Sequence, residues 1–148
     1  MNIRRGALAL PILFLLLTVS SVSVFGQSDR QTVVNIPFDF IVGDKAMSAG
    51  HYILERNKRE SDTVWTITTK DTGASRKVFL TIPAQSADPA QETKLVFHRY
   101  ENYYFLTAFT VAGSNTGREL QMSDRERNLG EKLVAQREDV ILTTSRGR

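Results

Sequence analysis

Four side chains with chemical capacity fall within seven residues of one another: His98, Arg99, Tyr100 and Tyr104, in the stretch LVFHRYENYYFLTAFT from Leu95 to Thr110. An imidazole moves protons or holds a ligand, a guanidinium pairs with a carboxylate, and a phenol joins an apolar ring to a polar tip. Gathered on one surface, these four would form an amphipathic aromatic patch able to stack on a sugar or a peptide, with Arg99 as an anion hook. They are the candidate ligand-binding residues. Whether they gather depends on the register of a hairpin, because a slip of one residue exchanges the two faces of a strand. With Glu101 and Asn102 as a two-residue turn, His98 lies opposite Phe105; with Asn102 in the left-handed position of a three-residue loop, it lies opposite Tyr104. The three-residue loop is preferred here. It puts Leu95, Phe97, Phe105 and Phe109 on one apolar face and leaves His98, Tyr100 and Tyr104 on the other. The competing use of the same rings is cross-strand pairing, which stabilises a sheet by roughly 0.2–1 kcal/mol per pair.

A second stretch, DTGAS at Asp71–Ser75, resembles the catalytic loop of aspartic proteases. In that family two such loops bring two carboxylates together to share a proton and activate water. The resemblance implies that a dimer of this chain could supply the pair through Asp71. Two features oppose it. Thr69 and Lys70 precede Asp71 where the family has apolar residues, and a lysine beside the dyad would keep ionised a carboxylate that must hold a proton. Asp-Thr-Gly is also an ordinary hairpin turn, with glycine taking the positive φ angle. Other chemistries have less support. The two histidines, His51 and His98, cannot make a three-histidine zinc site, and no cysteine is present to supply a thiolate, a nucleophile or a disulfide. No glycine-rich loop joins a strand to a helix, and Asp44, Asp71 and Asp88 lack the close spacing of a calcium loop. No cofactor or metal is expected.

The elements that must position these residues read mainly as strands. Val34, Ile36, Phe38, Phe40 and Val42 alternate with their neighbours at the period of a half-buried strand, and Pro37 marks an edge or a bulge in it. Gly43 to Gly50 turn the chain into a return strand at His51–Glu55, which completes a first hairpin. Thr63–Thr69, rich in β-branched residues, follows a charged connection at Arg56–Asp62. Further strands are expected at Lys77–Ile82 and on either side of Glu101–Asn102, with the proline- and alanine-rich stretch Pro83–Glu92 as a loop. Beyond Ala112–Gly117, Ser123 and Glu126 have the spacing of a capping box, and Leu129, Leu133 and Val134 give a helical stripe. A helix is expected near 123–138, weakened at Gly130 by roughly 1 kcal/mol relative to alanine unless it docks on the sheets. Val140–Leu142 either add a last strand or trail as a tail within 139–148. The fold expected is therefore mainly β, an antiparallel β-sandwich or small barrel of short strands with one C-terminal α-helix.

Compartment and charge narrow the function classes. Arg4 and Arg5 precede an apolar run at Ala7–Val19, and small residues follow in SVSVFGQ, the pattern of a secretory signal peptide cut after Gly26. A membrane anchor would need roughly 20 predominantly apolar residues, whereas Ser20, Ser21 and Ser23 interrupt this run. The chain is thus expected to divide into a signal peptide at 1–26 and a single β-rich domain at 27–148, exported to the periplasm or beyond without stable membrane insertion. Without Arg4 and Arg5 the Lys and Arg count falls from 19 to 17, against 16 Asp and Glu, and so near-neutral a balance gives no case for nucleic acid.

Phe38, Phe40, Val42 and Gly43, then Ala49, Gly50 and Tyr52, then Phe97–Tyr100 and Tyr104–Leu106, together resemble a pattern in small exported bacterial proteins of uncharacterised function. Met47 and Ser48 stand where that group usually has leucine and proline, which should loosen the turn before Gly50. The resemblance implies an exported β-rich domain and brings no activity, cofactor or catalytic residue. The reading is of an exported non-enzymatic β-domain that binds an envelope protein or a glycan or acts structurally in the envelope. An aspartic-type hydrolase built on Asp71 and a small outer-membrane barrel are the alternatives.

Overall fold

The computed structural model describes residues 31–57, 61–133 and 137–144. The expected signal peptide at 1–26 and Val134 lie outside these. Ten strands and one helix follow in the order β1 (Thr32–Ile36), β2 (Phe40–Val42), β3 (Lys45–Met47), β4 (Gly50–Arg56), β5 (Val64–Thr69), β6 (Arg76–Gln85), β7 (Thr93–Tyr100), β8 (Tyr103–Thr110), β9 (Thr116–Leu120), α1 (Asp124–Leu133) and β10 (Arg137–Thr144). The strands hydrogen-bond in the order β1-β4-β5-β6-β9-β8-β2-β3, with β7 joined to β8 and β10 to β7. The path has ends, so the small-barrel alternative is corrected: the fold is an open β-sandwich of short strands with a helix near the C-terminus. All pairings are antiparallel except a short parallel one between β2 and β8 at Ile41 and Phe105. The edge strands β1 and β10 come alongside each other without pairing.

Two strands make this architecture possible. The ten residues of β6 serve both sheets, pairing with β5 from Arg76 to Leu80 and with β9 from Thr81 to Gln85. At the changeover the buried Thr81 gives both its backbone N–H and its hydroxyl to the carbonyl of Thr63. Pro83 lies in the second half, so the strand runs into the stretch expected as a loop. Alternation along β6 turns Phe79 and Thr81 inward and leaves Val78, Leu80 and Ile82 as an exposed apolar strip. The other dividing strand, β8, pairs with β7 along its length and on its far side with β9 at one end and β2 at the other.

Near the N-terminus, Pro37 separates what reads as one alternating strand into β1 and β2, which lie far apart in the sheet order. The expected pairing with the return strand survives, with Asn35 opposite His51, but β2 and β3 form their own small hairpin in between. The turn before Gly50 is tied rather than loose. Asp39 Oδ1 accepts from the Ala49 N–H at 2.8 Å, and the Tyr52 hydroxyl donates to the Ser48 carbonyl at 2.5 Å. Lys45 also reaches the Arg76 carbonyl and Lys77 pairs with Asp44, which fastens the small hairpin to the start of β6.

The main core lies between the sheets and includes Val34, Ile36, Phe40, Leu54, Ile67, Leu95, Phe97 and Phe109, all nearly or wholly excluded from solvent. Trp65 of β5 meets Phe109 of β8 edge-on at 4.8 Å between ring centroids, and the Arg118 guanidinium of β9 sits 5.8 Å from the indole ring. Burial lowers the pKa of Arg118 from its ordinary value, with the charge of Asp62 opposing that shift. β9 itself, TGREL, lacks the composition of a strand and is not legible as one in the sequence. The helix is shorter than the expected 123–138, since residues 137–144 form an eight-residue strand on β7 instead of a tail.

Candidate functional site

The hairpin carrying the candidate residues closes through the two-residue turn Glu101–Asn102, with Tyr100 opposite Tyr103 and His98 opposite Phe105. The preferred three-residue register is therefore corrected. Glu101 takes a φ of 53°, the one non-glycine residue with positive φ among the described residues. The register shifts once more further along, where Thr107 is left without a partner and its hydroxyl donates to the Val96 carbonyl at 3.1 Å. This bulge reverses the alternation. Leu106 and Phe109 enter the main core with Leu95 and Phe97, while Phe105 faces the other way with Tyr100.

The four candidates consequently separate into two pairs. Arg99 and Tyr104 share the face of Phe97. There the Arg99 guanidinium lies 5.6 Å from the Tyr104 ring, its Nε donates to the Glu101 carbonyl, and Tyr104 stacks on Phe38 at 4.1 Å. His98 and Tyr100 lie on the opposite face beneath α1. One continuous patch of His98, Arg99, Tyr100 and Tyr104 is not formed.

The helix reaches its place because Ser123 caps it, its Oγ accepting from the Glu126 N–H at 3.2 Å and its carbonyl from the Arg127 N–H. Leu129 and Leu133 then pack on a second small core of Ile41, Tyr100 and Phe105. Gly130 lets the backbone come close, since a Cβ there would stand 3.3 Å from the Tyr100 hydroxyl oxygen. Glu126 departs from the capping-box pattern. The residue is 3 % exposed and its carboxylate turns inward to His98, with Oε1 2.6 Å from Nδ1. Arg137 of β10 stands 2.8 Å from His98 Nε2. A guanidinium only donates, so Nε2 is the accepting nitrogen and the ring proton sits on Nδ1, donated to Glu126. The Tyr100 hydroxyl donates to the same Oε1 at 3.5 Å, and Asp139 lies 3.6 Å from Arg137. Burial first, and the charge of Glu126 second, push the Tyr100 phenol above its ordinary pKa.

A carboxylate and the imidazole it orients are two of the three members of a hydrolytic triad, but the base in such a triad offers its second nitrogen to a nucleophile. Here that lone pair is taken by Arg137. The network joins β7, α1 and β10, buried at Glu126 and Tyr100 and open to solvent at Arg137 and Asp139. Asp71 lies exposed in the β5–β6 turn, where Gly73 adopts a φ of 61° and Thr69 bonds across to Ser75. His51 is exposed, and its carbonyl accepts from the Lys70 N–H. Among the described residues no group of three or more His, Asp or Glu side chains could hold a metal.

The outer flank of α1 carries a feature that the sequence reading missed. Tyr103, at the tip of the hairpin, and Arg125, Asn128, Leu129 and Lys132 line an open cleft of about 510 Å³. The four helical residues fall at i, i+3, i+4 and i+7 and so share one stripe. The Arg125 guanidinium lies 5.9 Å from the Tyr103 ring, which is 45 % exposed. Among the described residues, every polar side chain lining the cleft can donate a hydrogen bond and no carboxylate lines it. The stripe is visible in the sequence once the helix is placed, but its meeting with Tyr103 depends on the turn and on the docking of α1. Comparison with protein-family models, with curated proteins and with solved structures finds no match.

Proposed function

We propose that this chain is an exported, non-enzymatic β-domain of the cell envelope that works by binding, and that its ligand sits in the cleft between Tyr103 and α1. That cleft carries the reading: an exposed ring and donor side chains converge on one concavity, the usual arrangement of a recognition site. A non-catalytic role is supported by the exposed position of Asp71 and by the occupied second nitrogen of His98. Export is supported by the Arg4, Arg5 and apolar-run pattern. The ligand classes in view are an envelope glycan and an envelope protein.

A structural role in the envelope is the second reading, favoured by the exposed strip of Val78, Leu80 and Ile82 on β6. The open edges of the sheet count against an outer-membrane barrel, since closure is what satisfies backbone groups in hydrocarbon. Capture from the protein's own envelope fraction, run beside the double variant Arg125→Ala/Lys132→Ala, tests the binding reading. The natural protein should retain a component that the variant loses. Identical capture by both would remove the cleft as the site.

A further inference from the structure

We infer that the cleft between Tyr103 and α1 recognises an anionic saccharide; this rests on the binding function proposed above and specifies its ligand. The charge of the lining is one-sided. Arg125 and Lys132 supply two cations and Asn128 an amide, while of the three carboxylates of α1 Asp124 pairs with Arg127 at 2.9 Å, Glu126 is buried against His98, and Glu131 is exposed but does not line the cleft. A neutral ligand would leave both cations without a counter-charge, whereas carboxylate, sulfate or phosphate groups would satisfy them. The floor is aromatic. Tyr103 is held at its backbone by strand pairing opposite Tyr100 and presents an exposed ring beside Arg125, against which the C–H face of a pyranose can lie while its hydroxyls meet donors.

A peptide fits this wall less well. Extended peptides gain affinity by adding to a free strand edge, and the cleft is walled by side chains of a helix whose backbone groups are bonded internally. Its openness suits a polymer that passes across it. The negative group could be a uronate carboxylate or a sulfate ester, and the two are separated by the choice of polymer.

Binding of the exported protein to polygalacturonate, dextran sulfate, neutral dextran and polyglutamate, measured by calorimetry at low and moderate salt, tests the inference. The expected result is binding to one or both acidic polysaccharides, weakened by salt and absent for dextran and polyglutamate. Arg125→Ala and Lys132→Ala should each weaken it about fivefold, the effect of losing one exposed charge pair. Tyr103→Ala should weaken it further, and Tyr103→Phe should restore it because the ring is kept. Circular dichroism of each variant shows whether the fold persists. Equal binding of dextran, with Tyr103→Ala abolishing both, would overturn the anionic ligand and leave the binding function standing. Polyglutamate binding as tightly as the polysaccharides would overturn the saccharide. If none of the polymers binds, the inference falls, and the envelope capture described above then decides separately whether the binding function falls with it.

Discussion

Glu101 holds a backbone conformation that costs an L-residue roughly 1–2 kcal/mol, and the turn that sets the faces of the β7–β8 hairpin depends on it. Its carbonyl, not its side chain, receives Arg99 Nε, so Glu101→Gly relieves the strain and keeps that bond. Part of the gain is offset by the greater freedom of glycine in the unfolded chain. A net stabilisation of about 0.5–1 kcal/mol is expected, seen as a higher urea midpoint at unchanged slope. Tyr100 sets a limit at the alkaline end. Its phenol is raised above the ordinary value by burial and by Glu126, and Tyr52 is raised by burial and by Asp39. As pH climbs past about 10, the ordinary tyrosine value, the unfolded chain releases these protons before the folded one does. Stability is therefore complete below that point and falls as pH rises through the folded-state values. Tyr100→Phe should flatten the decline, read as denaturation midpoints across the alkaline range.

The helix is the element on which the most depends, because one side of it seals the second core and its neighbouring flank forms the cleft. Gly130 shows how close the docking is. Alanine there would gain up to roughly 1 kcal/mol of helix propensity, but its methyl would meet the Tyr100 hydroxyl. Gly130→Ala alone is expected to yield less than that gain, and in a Tyr100→Phe background to yield most of it. A double-mutant cycle by urea denaturation measures the difference. Much of this element was legible in the sequence: Ser123 as cap, Leu129 and Leu133 as the half-buried packing stripe, and Gly130 as a site dependent on docking. The inward turn of Glu126 was not, since a capping-box spacing gives no sign that a partner histidine waits across the sheet. The hairpin was half legible for a related reason. Alternation identifies strands but assumes an unbroken register, and the bulge at Thr107 lets Phe105 and Phe109, four residues apart, enter different cores. The separation of Arg99 and Tyr104 from His98 and Tyr100 follows from the same register.

Across the whole molecule, the described residues begin at Gln31, a few residues after the expected cut, so processing at Gly26 would leave all ten described strands and the described helix intact. If the proposed export holds, intact-mass analysis of the protein recovered from its host should find a chain beginning at or near Gln27. A full-length species kept in membranes after carbonate washing would refute this. The class of fold was readable from the recurrence of strands and turns. The sheet order was not, because β6 serves two sheets and β1 and β2 separate at a single proline. The place of Trp65 between the sheets has a practical consequence. It is the sole tryptophan of the chain, it bridges β5 to Phe109 in β8, and it lies beneath a cation. Its fluorescence is thus an intrinsic signal for separation of the two sheets, with emission moving to the red as the indole meets water. The residues packed around α1 contribute no indole, so the same signal is silent to undocking of the helix. A melt in which helical ellipticity falls before tryptophan emission shifts would show the cleft coming apart while the sandwich still holds.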